Sequence, residues 1–166
     1  MFQWPVEPRW RISSTWGERV HPVGGTVSFH GGIDIACPVG TEVKAPYDGV
    51  VAMKWNDGLY GGGRSLGLEC VVPDAKGRNV LMRFGFAHLS DYMNGRQKGY
   101  SVKRGEVLAL SGGQPGDEGA GKSTGAHLHM TVRASGQKVD PLILNWTIDF
   151  PGRERVPKKI DPKDFL

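Results

Sequence analysis

The five histidines, at positions 21, 30, 88, 127 and 129, all stand in or beside glycine-rich stretches. Two of them form His127-Leu128-His129 in a strand-like run. Residues two apart on a strand point to the same face, about 6–7 Å apart along the chain, so two imidazoles converge on one small volume. A second cluster is His30-Gly31-Gly32-Ile33-Asp34. Fully extended, its ends would lie about 13 Å apart, too far to share a metal with ligand distances of about 2.0–2.2 Å. The chain must bend between them, and Gly31-Gly32 can supply the bend because glycine tolerates positive φ. Ile33 and Ile35 then argue for a turn into a strand rather than a helix.

Zinc in hydrolytic sites takes three protein ligands and leaves a fourth position open, which two histidines and one aspartate would satisfy. The spacing leaves two arrangements open for the H-x-H pair. Both imidazoles could be ligands, or one could bind while the other handles protons. A lone H-x-H also fits a solvent-facing or core-packed pair, and H-x-x-x-D alone says less still. The combination says more, since both clusters adjoin backbone that must bend or lie exposed, and a third histidine, His88, follows Phe86-Ala87.

The elements that must hold these side chains read as short strands. Alternating or β-branched apolar runs cover 32–37, 42–45, 49–55, 67–72, 79–88, 106–110 and 127–133. Turn signals separate them, among them Pro38-Val39-Gly40, Asp48-Gly49, Tyr60-Gly61-Gly62-Gly63 and Ser111-Gly112-Gly113. No segment carries a 3.6-residue period over three turns, so an all-β sandwich or open barrel is expected. The chain has 166 residues, enough for one domain with its own core, and its 25 glycines are spread between strands rather than gathered in a block.

After Phe150 the sequence turns polar and proline-rich, which predicts a surface tail over 151–166 that is dispensable for chemistry. Cys37 and Cys70 are too few for a disulfide framework and form no C-x-x-C pair, so buried free thiols are expected. The net charge of +4 favours an acidic partner without naming one, and a mildly basic solvated surface explains it equally well. Neither a signal peptide nor a transmembrane span is visible.

In order, Gly17-Glu18-Arg19-Val20-His21-Pro22, His30-Gly31-Gly32-Ile33-Asp34-Ile35-Ala36, Pro38-Val39-Gly40-Thr41 and Ala45-Pro46-Tyr47-Asp48-Gly49-Val50-Val51 resemble one known family. Tyr60-Gly61-Gly62-Gly63, Ala87-His88-Leu89-Ser90, Val102-Lys103-Arg104-Gly105 and Ser123-Thr124-Gly125-Ala126-His127-Leu128-His129 continue the match. That family is the lysostaphin and LytM type of zinc metallopeptidases, which cleave bacterial peptidoglycan. The resemblance implies an antiparallel β-sandwich or open barrel of the LytM-like type, with an endopeptidase domain over 1–150. It implies one Zn²⁺ held by His30, Asp34 and His129, with His127 and His88 flanking the reacting centre. His21 falls where such enzymes can carry a tyrosine near the developing oxyanion, which implies an assisting role. Phe86, Met130 and Cys37 depart from residues common at those positions. Residues 114–122 look like a longer insertion than usual, where a mobile loop would shape the groove.

The function this implies is a zinc metalloendopeptidase acting on peptidoglycan stem peptides or cross-bridges. The cell wall would be its place of action, reached from a phage-encoded lytic enzyme or as part of a larger exported protein, the phage source being the one favoured. The alternative is a non-catalytic wall-binding or regulatory LytM-like module, against which the intact His30, Asp34, His88, His127 and His129 count. A nucleic-acid-binding β domain is not expected, because no strand interleaves aromatic with basic residues.

Overall fold

The computed structural model describes residues 1–20, 24–57, 61–73 and 76–148. His21 and the tail over 151–166 lie outside the described residues, as do Tyr60 and Phe150. Thirteen strands follow one another among the described residues. They are β1 (Ile12–Ser14), β2 (Gly17–Val20), β3 (Val27–His30), β4 (Ile33–Ile35), β5 (Glu42–Lys44), β6 (Gly49–Asp57) and β7 (Gly63–Pro73). Then come β8 (Asn79–Ala87), β9 (Leu89–Tyr92), β10 (Ser101–Val102), β11 (Val107–Ser111), β12 (Leu128–Ala134) and β13 (Gln137–Val139). One 3-10 turn, Pro141–Ile143, is capped by the Asp140 side chain accepting from the Leu142 N–H.

All seven predicted runs overlap a strand of the fold, which is all-β and antiparallel as expected. The large sheet runs β1-β4-β12-β8-β7-β6-β10, with β13 attached to β12. A smaller sheet runs β5-β11-β9, and β2-β3 forms a separate hairpin. Strict alternation drives the large sheet. On β12, Leu128, Met130, Val132 and Ala134 are buried while His129, Thr131 and Arg133 between them face outward. The same holds on β8, where Val80, Met82, Phe84 and Phe86 point inward. Phe86 and Met130, two of the three departures from the family pattern, are thus core residues on the face opposite His129.

The core lies between the inner face of the large sheet and the smaller sheet, which contributes Val43, Leu89 and Leu108. Both chain ends close it. Phe2 bridges to Trp146 and packs edge-on against Phe84, and Trp4 meets Trp146 at 5.0 Å between ring centroids. Burying side chains of this size contributes about 1.5–3 kcal/mol each, so Phe2 and Trp4 are part of the core.

Cys37 and Cys70 are both free and buried, as expected. Burial, helped by the nearby carboxylates of Asp48 and Glu69, pushes the Cys70 thiol up to about 12. Since the thiolate is the reactive form, neither cysteine should be alkylated by iodoacetamide in the folded protein at pH 8, and both should be alkylated in denaturant. Mass spectrometry of the two samples checks this.

Candidate metal centre

The bend after β3 is where the sequence places it, but its glycines act through space rather than through φ. Neither Gly31 nor Gly32 has a positive φ. A side chain at Gly32 would instead collide with the Met130 carbonyl and come within 3.0 Å of the His129 imidazole. Glycine there lets β4 lie beside β12, in the register that pairs Asp34 with His129.

His30, Asp34 and His129 consequently meet. Their ligand-type atoms all lie within 4.8 Å of one another. The His129 Nδ1 is 2.7 Å from Asp34 Oδ1, and His30 Nε2 is 3.3 Å from that oxygen and 3.2 Å from His129 Nδ1. The donor set fits zinc. The other nitrogen of His30, Nδ1, lies 2.8 Å from the Thr15 carbonyl, which can only accept, so Nδ1 carries the proton and Nε2 turns its lone pair to the cluster. The second oxygen of Asp34 receives Arg19 Nη2 at 3.3 Å, leaving Oδ1 for the shared point. Burial alone would raise the Asp34 carboxyl. Hydrogen bonds and charge from His129 and His30 in their protonated forms more than offset this and hold it far below the usual carboxylate range.

His88 and His127 flank the three. His127 precedes β12, and its Nδ1 donates to the Gly125 carbonyl at 2.7 Å, with Ser123 Oγ 3.1 Å away. Its Nε2 is 3.7 Å from Asp34 Oδ1. The His88 Nδ1 donates to the Ala120 carbonyl at 2.8 Å, and its ring centroid is 4.7 Å from that of His127. Both imidazoles are therefore locked by a backbone carbonyl in one tautomer, with Nε2 free to accept a proton. The geometry separates the H-x-H pair: His129 joins the three-residue cluster and His127 stands beside it. His88 also has a φ of 59°, a left-handed conformation that is uncommon outside glycine and tends to persist at functional sites.

The segment expected to form a mobile loop is tied to the body of the fold. The Arg64 N–H donates to the Gly119 carbonyl at 2.8 Å, the Lys122 N–H to Gly61 at 3.0 Å, and Arg64 Nη2 meets Glu118 at 2.6 Å. Arg64 also bonds the Ser90 carbonyl, two residues from His88. Gly63, at φ 61°, packs so closely on the backbone of Gly119 and Gly121 that no side chain would fit. Lys122, the last residue of this segment, lines a cleft of about 530 Å³ together with Ser123 and the five residues of the cluster and its flanks.

Sequence reasoning missed the parts that orient the cluster: the Thr15 carbonyl, Arg19, Ser123 and Ala120. Arg19 and Ser123 stand inside motifs already singled out, but a backbone carbonyl has no residue type to mark it. His21, expected to assist, lies outside the described residues.

This fold and this cluster define a metallopeptidase class. The model of Peptidase family M23 matches residues 28–141, and the chain belongs to that family. Among similar proteins, the DD-carboxypeptidase/endopeptidase Mpg of Neisseria meningitidis serogroup B (strain MC58) is 39% identical over 132 residues, covering 80% of this chain and 26% of its own length. Peptidoglycan DD-endopeptidase ShyA of Vibrio cholerae is 35% identical over 158 residues, covering 95% of this chain and 32% of its own. The crystal structure of a zinc-containing peptidase from Vibrio cholerae superposes with a TM-score of 0.68 at 30% identity, covering 90% of this chain and 40% of that one. The chain thus spans about a quarter to a third of the length of these two sequence relatives.

Proposed function

We propose that this chain is a zinc-dependent endopeptidase that hydrolyses peptide bonds of bacterial peptidoglycan. The observation that carries the reading is the meeting of His30 Nε2, Asp34 Oδ1 and His129 Nδ1 from three strands, beside two imidazoles locked with Nε2 free. The name of the Vibrio relative, a peptidoglycan DD-endopeptidase, supports the substrate, and that of the Neisseria relative, a DD-carboxypeptidase/endopeptidase, supports the reaction.

In this reading His30, Asp34 and His129 hold one zinc. When bound, the ion supplies Lewis-acid polarisation and lowers the pKa of a coordinated water toward 7. The chain's own groups do the rest. His127 and His88, each with its Nδ1–H committed to a carbonyl, present Nε2 to the cleft. One accepts the proton of the attacking water, and the other stabilises the tetrahedral oxyanion or returns a proton to the departing amine. Arg19 holds the outer oxygen of Asp34 so that the carboxylate points one way. No helix among the described residues is long and apolar enough to cross a membrane.

The test is zinc stoichiometry together with mass spectrometry of muropeptides released from defined walls. One zinc per chain and new peptide ends are expected. Bound zinc without any released muropeptide would favour the wall-binding module instead. His21 is proposed to assist near the oxyanion, so His21→Ala is expected to lower kcat by about a hundredfold without loss of zinc. Unchanged turnover would remove it from the mechanism.

A further inference from the structure

The register of the large sheet sets three rows of outward side chains side by side across the strands. The first contains Asp34, His129 and Ala87. The second contains Thr131, Gly85, Gly67 and Met53. The third contains Lys138, Arg133, Arg83 and Glu69. Successive rows are two residues apart along each strand, so the third lies about 13 Å from the first.

The middle row is a trough. A methyl group at Gly85 would lie 2.5 Å from Thr131 Oγ1, and one at Gly67 would lie 3.3 Å from the Met53 side chain. With glycine at both positions a cavity of about 350 Å³ opens on the sheet face, with Trp55 and Met53 at one end and Arg133 and Lys138 at the other. The Lys138 ammonium also reaches back toward the cluster. It lies 2.9 Å from where a side chain on Gly31 would begin, against the backbone that joins His30 to Asp34.

Charge in the two adjoining hollows is one-sided. Arg19 and Lys122 line the cleft of the cluster, and Arg83, Arg133 and Lys138 line the trough, whereas Asp34 is the one carboxylate lining either among the described residues. Arg19 is paired with Asp34 and Arg83 with Glu69, and Arg133 donates to the Gly136 carbonyl at 2.9 Å. Lys122 and Lys138 pair with no carboxylate among the described residues. A substrate lying across the sheet from the cluster therefore meets unneutralised cations one short peptide away.

We propose that this trough is a carboxylate-reading subsite, in which Lys138 and Arg133 bind a free carboxylate of an acidic stem peptide, so that the chain selects acidic peptides over uncharged oligoglycine. The inference rests on the peptidase reading above and adds the charge of the substrate to it. The sheet supplies the floor, since Gly67 and Gly85 add no side chains of their own and an extended peptide there would meet only Thr131, Met53 and Trp55 between the cluster and the cations. The cations supply the discrimination, since a carboxamide in the same place offers no charge to pair.

The test uses the zinc-loaded protein and two cross-linked muropeptides that differ only in whether the acidic residue of the stem carries a carboxylate or a carboxamide. The carboxylate form is expected to have a KM about fivefold lower, the scale of two partly exposed ion pairs, with little difference in kcat. In Lys138→Gln, and more fully in Lys138→Gln with Arg133→Gln, the KM of the carboxylate form should rise to that of the carboxamide, and Lys138→Arg should restore the preference. Equal KM values in the unsubstituted protein, or a preference that survives both substitutions, would overturn the subsite. If neither muropeptide is cut, the peptidase reading fails. Calorimetric binding then still decides the subsite, which stands if the carboxylate form binds more tightly through Lys138 and falls if the two bind alike.

Discussion

Asp34→Ala and His129→Ala are each expected to release the zinc and abolish muropeptide release together. Three protein ligands are the minimum from which a hydrolytic zinc site is built, and the loss of either leaves two. The effect of Asp34→Ala goes beyond the missing ligand. Asp34 Oδ1 is the atom around which His30 Nε2 and His129 Nδ1 are grouped, at 3.3 and 2.7 Å, and its other oxygen holds Arg19. Without it the Arg19 guanidinium stands beside the site with no carboxylate to balance it, and a divalent cation would have to bind against that charge. Arg19→Gln gives the scale. It removes an outer partner only, for which a 10–100-fold loss of metal affinity is typical. The two ligand variants should lose more than about a hundredfold, measured by competition with a chromogenic chelator, and lysis should fall to background in parallel. Retained zinc-dependent lysis in either variant would contradict the assignment.

The sequence showed the cluster more fully than the scaffold around it. His30, Asp34 and the His127-Leu128-His129 pair are legible because their chemistry is rare and their spacing is constrained by strand geometry and by a bend that must occur, whereas the choice of His129 over His127 as a ligand came only with the family resemblance. The strands of the large sheet are legible for a related reason: alternation on β8 and β12 records one buried face. β1, β10 and β13 are two or three residues long, too short for any period to register. The hairpin β2-β3 exposes Val20, Val27 and Phe29, so its apolar residues do not sort into an inward and an outward set. The covering of the core by Phe2, Trp4 and Trp146 depends on contacts between the two ends of the chain, which no local window contains. The Gly31-Gly32 bend was anticipated for one physical reason and occurs for another, because the close approach of Met130 and His129 belongs to a strand almost a hundred residues away. The tethering of residues 114–122 was invisible for the same reason: Arg64 and Gly63 hold it from a distant strand.

His88→Ala and His127→Ala should behave in the opposite way to the ligand variants, keeping zinc while losing turnover. Neither imidazole belongs to the three-residue cluster, and each has its Nδ1 committed to a carbonyl outside it. Proton transfer by a positioned side chain contributes about 10²–10⁴-fold, so kcat should fall on that scale in each variant, with zinc content near one per chain. The pH profile adds a test specific to His88. Burial is the main cause that lowers its pKa from the usual 6.5, and the nearby His127 and His129 lower it further against the opposing Ala120 hydrogen bond. A lowered value means that the neutral imidazole persists into more acidic solution. If His88 takes the proton from water, kcat/KM should rise with pH through a value below 6.5 and stay flat above it until some other group titrates. An acid limb at or above 6.5 would argue against that role, since an imidazole in this setting is already deprotonated there. The variants then divide the labour between the two histidines. In the variant lacking the base, the residual activity should lose this acid limb. In the variant lacking the partner, the limb should remain while kcat drops, because the proton acceptor is still in place and only the oxyanion or the leaving amine goes unassisted.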